Sequence, residues 1–171
     1  MSPERHHARI VTLAFVRHGD AVLLLRHPEA GRRFPGQWNG IGGHVEAGEG
    51  LSAAAHRELR EEAGVEVAEL RLRVVVHETG LLGESYVVFV FAGEAATRAL
   101  EPAPGHEVAW HALDALDALP LVHDVPELLQ SAFAQGDPVF LLAAYDGGDR
   151  RLSLAIDGPG PGDTRAEGTR G

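Results

Sequence analysis

GHVEAGEGLSAAAHRELREEAGV, residues 43–65, gathers five glutamates in a stretch whose middle has the composition of a helix. Like charges at helical spacing repel and destabilise a helix, so something must offset that repulsion. From about Leu51 to Ala63 the pattern is helical, and Gly64 falls where a left-handed C-terminal cap would sit. Glu58, Glu61 and Glu62, at i, i+3 and i+4, are expected on one face within about a turn of each other. At about 100° per residue, Leu51, Ala54 and Ala55 project over that same side, whereas His56, Arg57 and Arg60 fall on the others.

An acidic helix face is ordinarily solvated surface. Here the carboxylates continue an inward stripe of small apolar residues, so the repulsion calls for a positive partner. Hard oxygen ligands without cysteine or an organised histidine set point to Mg²⁺, with Mn²⁺ as the alternative, rather than to zinc. Upstream, Gly42 and Gly43 permit close approach of the backbone. Glu46 and Glu49 lie on the loop leading into the helix and reach the same region if that loop folds back over the helix start.

Working outward, 171 residues suffice for one domain with a sizeable core and are too few for two ordinary domains with a linker. Hydrophobic residues are 44% and charged residues 23%, an ordinary globular composition. The net charge is -10 and every strongly basic residue is arginine, which speaks against a protein that coats nucleic acid. A polyanionic small molecule remains an acceptable ligand if divalent cations accompany it. The absence of cysteine excludes disulfides, thiolate metal sites and thiol catalysis. No segment resembles a secretory signal or approaches the ~18 apolar residues of a membrane span. A cytoplasmic protein with no membrane association is the expectation, either a monomer or a homodimer.

The rest of the chain reads as strands and helices around this segment. RIVTLAFVRHGDAVLLLRH gives two strands around a turn at His18-Gly19-Asp20. PEAGRRFPGQWNGIGG, residues 28–43, is expected to be a shaped loop rather than a regular element. LRLRVVVHET and SYVVFVFAG are two more strands, with GLLGE as a hairpin loop between them. EVAWHAL reads as a short strand entering a helical turn, and DVPELLQSAFAQG as a helix with Pro126 in its first turn. A hairpin over residues 136–157 turns at Asp-Gly-Gly-Asp, and its apolar run Val139 to Ala144 is expected to cover either a sheet edge or a partner chain. Residues 158–171 have almost nothing to bury and are expected to form a disordered, mobile tail. This order predicts an α/β fold with a mixed sheet flanked by helices.

The spacing is more specific than the composition. Gly43, five residues, Glu49, seven residues and then Arg57-Glu58-Leu59-Arg60-Glu61-Glu62-Ala63-Gly64-Val65 resembles, at every defined position, the signature of the Nudix hydrolases. The flanking strand order extends the resemblance over residues 8 to 135. It implies an α/β/α sandwich in which a loop-helix-loop binds Mg²⁺ and a diphosphate linked to another moiety is hydrolysed. By that likeness Glu58, Glu61 and Glu62 would be metal ligands and the Gly42 carbonyl a further one. Arg57 would orient Glu49 through an ion pair, and Glu58 or an assisting carboxylate would orient or deprotonate the attacking water. Bound cations neutralise the non-bridging phosphate oxygens and activate water, which agrees with the chemistry read from the residues.

Trp38-Asn39-Gly40, just before the signature, is similar to the MutT-type and oxidised-purine triphosphatase subgroup. There the likeness gives Asn39 a base-reading role, while turn support is the alternative. Arg26 would contact a phosphate or serve as a surface arginine. Glu84 and Glu94, on either side of strand SYVVFVF, are both candidates for an acidic metal ligand outside the signature. His123 and Asp124 occupy the region of a second base-reading group, although the chain lacks the Trp-Pro-Asp-Asp run of the animal oxidised-purine enzymes. Asp124 is alternatively a cap for the following helix. The resulting expectation is a Mg²⁺-dependent diphosphatase of purine nucleoside triphosphates, oxidised ones included. The rival substrates are a nucleotide sugar, ADP-ribose or a dinucleoside polyphosphate. A non-catalytic sensor is disfavoured because every glutamate of the signature is present.

Overall fold

The computed structural model describes residues 6–31 and 33–157. The tail expected to be mobile lies outside the described residues. The strands are β1 (Arg9–His18), β2 (Ala21–Arg26), β3 (Trp38–Asn39), β4 (Ile41–His44), β5 (Leu70–Leu81), β6 (Glu84–Glu94), β7 (Glu107–Ala112), β8 (Val139–Tyr145) and β9 (Arg151–Ile156). The helices are α1 (Leu51–Ala63) and α2 (Val125–Phe133), with a 3₁₀ segment at Leu113–Ala118. The strands join in one sheet ordered β3-β2-β1-β6-β5-β8-β9, to which β4 adds beside β1 and β7 beside β2. The pairs β1 with β6 and β5 with β8 are parallel and the others antiparallel, so the sheet is mixed as predicted.

Strand alternation divides the core into two layers. Ala14, Val16, Leu23, Leu25 and Ile41 pack with Leu59 and Ala63 of α1. Val11, Phe15, Val74, Val76, Val88 and Val90 pack with Val125, Leu128, Leu129 and Ala132 of α2. Helices on both faces of a sheet make an α/β/α sandwich. Among the described residues no helix is long and apolar enough to cross a membrane.

The segment expected to be only a shaped loop contains β3 and β4. Their pairing depends on distant partners: β3 on β2, and β4 on β1 from Val11 to Ala14. The chain crosses from one to the other at Gly40, where a Cβ would press within 3.0 Å of the Leu13 side chain and 2.9 Å of the Ala14 carbonyl. As a result β1 pairs with β2 only from Val16 to His18, and below that point the two diverge. This fork opens the sheet where the site is built.

Two further expectations are refined. The GLLGE loop is shorter than predicted: β5 and β6 run on to Leu81 and Glu84, leaving Leu82 and Gly83 at the tip with φ of 52° and 78°. Positive φ at both central residues is the two-residue hairpin geometry whose twist matches its strands. The hairpin over residues 136–157 covers a sheet edge, because β8 pairs in parallel with β5 from Val74 to Thr79.

Candidate active site

Helix α1 ends as its sequence predicts, with Gly64 left-handed at φ 65° and its N–H donated to the Arg60 carbonyl at 3.0 Å. Its buried stripe is Ala54, Ala55, Leu59 and Ala63. At about 100° per residue, Glu58 and Glu62 flank this stripe while Glu61 is turned toward solvent. The side chains of Glu58 and Glu61 are 12% and 60% exposed, so the three carboxylates do not share the buried face equally. Among the described residues no three acidic or histidine side chains converge into a ready metal cage.

The two glycines of β4 let the strand fit between β1 and α1. A Cβ at Gly42 would collide with the Thr12 carbonyl, and one at Gly43 with the Glu58 carboxylate. The Gly42 backbone also hydrogen-bonds the Glu62 carboxylate, yet Glu62 Oε2 is buried with no partner. Burial, followed by the nearby Glu58 charge, pushes the Glu62 carboxyl up to about 7. His106 Nε2, from the segment before β7, stands 3.7 Å from Glu62 Oε1.

Arg57 binds the entry loop to the helix. Its Nε donates to Glu49 Oε1 at 2.8 Å and its NH2 to Glu49 Oε2 at 3.0 Å, the planar two-point pairing that guanidinium geometry favours. It also donates to Glu58 at 2.8 Å, Glu61 at 3.1 Å and the His44 carbonyl at 3.1 Å. The guanidinium holds the Glu49 carboxyl below its ordinary value, and these carboxylates raise that of Arg57. The expected pairing of Arg57 with Glu49 is therefore present. Glu46, with no role assigned from sequence, donates its backbone N–H to Glu49 at 3.1 Å.

Beside this network lies a cavity of about 320 Å³. Apolar walls come from Val11, Leu13, Phe34, Val76, Val88 and Leu128, and polar lining from Arg26, Asn39, Glu62, Glu78, His106 and Asp124. Arg26 is engaged by the Gly36 carbonyl and by Glu29 and Glu107, at 2.9, 2.9 and 3.3 Å. Asn39 Oδ1 accepts the Gly40 N–H at 2.8 Å, so it braces the crossing between β3 and β4 while lining the cavity. His123 does not line the cavity: its ring lies edge-on to Phe34 and Tyr145, with Nε2 buried and unpartnered. Asp124 is 8% exposed and makes no side-chain cap bond to α2, which corrects the capping alternative. Burial raises its pKa.

Neither Glu84 nor Glu94 lines this cavity. Glu84 lies at the Arg9 end of β1, bound to Arg9 at 2.7 Å and to the Tyr86 hydroxyl at 2.6 Å. Glu94 lies at the opposite end, paired with Arg17 at 3.1 Å. The register of β6 against β1 separates both from the β4 segment, so the structure brings neither acid outside the signature to the helix. A second groove of about 360 Å³, near Arg17, Arg71 and Phe133, holds no residue of the signature.

Sequence reasoning missed Glu78, His106 and Arg33. Glu78 follows Val74 and Val76 at the two-residue period of β5, so it occupies a core position, and it is 5% exposed. A carboxylate in the buried phase of a strand was the signal. Burial and then the Asp124 charge push it up to about 7. Arg33 sits over the Tyr86 ring at 4.6 Å, and nothing local in its Gly/Pro-rich loop marks it.

The model of the NUDIX domain matches residues 5–132. Over 110 residues the chain is 34% identical to the NAD-capped RNA hydrolase NudC of Pseudomonas aeruginosa, a match covering 63% of this chain and 37% of that protein. The chain thus spans little more than a third of the length of that relative. It is 27% identical over 138 residues to the nucleoside triphosphatase NudI of Enterobacter sp. (strain 638), covering 74% of this chain and 95% of that one. Among solved structures, the MutT protein of Bacillus halodurans matches with a TM-score of 0.72 and 23% identity, over 87% of this chain and 97% of that chain. At that identity the likeness speaks for the fold alone. The loop-helix-loop with its Arg57–Glu49 pair, the sandwich around it and a domain match over residues 5–132 agree: the chain belongs to the NUDIX family.

Proposed function

We propose that this domain hydrolyses a phosphoanhydride bond of a purine nucleoside triphosphate, oxidised purines included, with the help of Mg²⁺ or Mn²⁺. The observation that carries this reading is the buried, unpartnered Glu62 Oε2 beside Glu58, at the edge of a cavity large enough to admit a ligand. A hard oxygen set with an orphaned carboxylate oxygen fits a divalent cation. Glu58, Glu61 and Glu62 would hold it with the Gly42 carbonyl, Glu61 needing to swing from its Arg57 contact. When bound, such a cation neutralises charge on the phosphate oxygens and makes its water a stronger acid.

The chain's own residues do the rest. A carboxylate of the α1 face takes a proton from the attacking water as the new oxygen–phosphorus bond forms and the bridging bond breaks. Arg57 and Glu49 act by positioning, since the two-point pair fixes the entry loop against the helix. Arg26 and Asn39 line the route to the cavity, and Asp124 lies deeper in it. Residues 8–135 form the catalytic domain in this reading, with 136–157 as its extension. The substrate is a free nucleotide, in keeping with the acidic charge and a cytoplasmic monomer or homodimer.

The 34% identity to NudC favours one second reading, cleavage of the diphosphate in NAD or an NAD-capped end. A substrate panel decides. Canonical and oxidised triphosphates, NAD, ADP-ribose and NAD-capped RNA are assayed with Mg²⁺ and Mn²⁺ for kcat/KM and product identity. Purine triphosphates are expected to be preferred, with activity lost on chelation and lowered by orders of magnitude in Glu62→Gln. Undiminished turnover by metal-stripped enzyme overturns the mechanism, and preferred cleavage of NAD or its capped RNA replaces the substrate.

A further inference from the structure

Two carboxyls at the inner end of the cavity have no task in this reaction. Glu78 and Asp124 are 5% and 8% exposed, and both line the cavity. The only hydrogen bond from another side chain to Glu78 comes from the Tyr145 hydroxyl at 3.4 Å, too long to be strong. Asp124 gives none to α2. The cations in range are otherwise engaged: Arg33 lies over Tyr86, and Arg151 pairs with Glu127 at 2.8 Å. Buried polar groups normally have partners, and two carboxyls in a ligand-sized cavity without them are waiting for a donor-rich guest.

We infer that Glu78 is a specificity-determining residue: with Asp124 it forms a clamp for a base edge that presents two neighbouring N–H donors beside a carbonyl, the 2-amino-6-oxopurine pattern. This rests on the nucleotide reading above and names the base. Two like charges this deeply buried retain a proton between them, so the pair offers one O–H donor and otherwise only acceptors. A guanine-type edge supplies N1–H and the 2-amino group to the carboxylate and accepts from the acid at its 6-oxygen. A hypoxanthine edge lacks one donor, an adenine edge has a single donor group, and a cytosine edge has surplus acceptors. Each of these leaves a buried carboxyl oxygen without a partner.

The test is binding of GMP, IMP and AMP to the full chain by calorimetry without added divalent metal, so that it does not depend on catalysis. Wild type is expected to bind GMP about tenfold or more tightly than IMP, the worth of one hydrogen bond to a charged acceptor. In Glu78→Gln and in Asp124→Asn that ratio falls to within about threefold. Melting curves confirm that each variant is folded, and the wild-type ratio stands as a measurement if one is not. Equal affinity of wild type for GMP and IMP, no measurable GMP binding at millimolar concentration, or an unchanged ratio in folded Glu78→Gln overturns the proposal. A GMP preference without hydrolysis of any triphosphate supports the clamp and sinks the hydrolase reading. Equal kcat/KM for GTP and ITP with no binding preference does the reverse.

Discussion

The protein handles clustered carboxylates in two different ways. On α1 and its entry loop, Glu49, Glu58 and Glu61 converge on one arginine, Arg57, whose side chain is 19% exposed. At the inner end of the cavity, Glu78 and Asp124 share no such cation and are buried more deeply. The first cluster is neutralised within the fold, which leaves Glu62 as the member with an orphaned oxygen. The second is neutralised by retaining a proton. A charge compensated by a fixed arginine gives rigid positioning, whereas one compensated by a proton can be exchanged for a ligand.

Removing the cation should break this contrast most forcefully. Arg57→Ala leaves Glu49 and Glu58 mutually exposed to repulsion and frees the entry loop. Loss of a group that orients metal ligands typically lowers activity about 10–100-fold, and the same variant should lose about 2–3 kcal/mol of stability. Wild-type kcat/KM in Arg57→Ala would mean that the pair is ornamental, and guanidinium unfolding measures the second quantity.

A pH titration separates the clusters next. Glu78 has an ordinary value near 4.5 when unfolded and about 7 when folded. Folded protein therefore holds a proton that unfolded chain has released, and the stability this provides is present below pH 4.5 and lost as pH rises through 7. A shift of this size corresponds to about 3 kcal/mol. Glu78→Gln has no such titration, so its stability relative to wild type should rise by up to that amount between pH 5 and 8. Parallel urea-unfolding curves for the two proteins across that interval would show that Glu78 does not titrate there.

The smallest expected effect is at Tyr145. Its bond to Glu78 is long, so Tyr145→Phe should change stability by less than about 1 kcal/mol and leave the GMP to IMP ratio near that of wild type. A large loss of discrimination would make the hydroxyl, rather than the carboxyl pair, the reader of the base.

Legibility from sequence follows the same division. The helix, its Gly64 cap and the Arg57–Glu49 pair are written within 23 consecutive residues, and the structure forms all three. The expectation that Glu61 would point inward with its neighbours was too simple, because three residues of helix rotate it past the edge of the Leu59 stripe. Strands were also readable where alternation was strong, as in β5 and β6. The two short strands β3 and β4 were not, since their four glycine and asparagine positions become extended only against β1 and β2.

The acid ligands proposed outside the signature fared worst. Glu84 and Glu94 flank one strand and look equivalent in sequence, but the parallel register of β6 on β1 carries them to opposite ends of the sheet. Glu78 was passed over for the converse reason: a single glutamate at a strand end resembles surface until β8 and α2 close over it.

By itself, then, the sequence determined the α/β class, the acidic helix and its local ion pair, since each depends on residues a few positions apart and on backbone geometry that repeats. The fork between β1 and β2, the cavity it opens and the pairing of Glu78 with Asp124 were decided by tertiary structure alone. Those features join residues tens of positions apart, and strand register, which sums many weak long-range contacts, determines which of them meet.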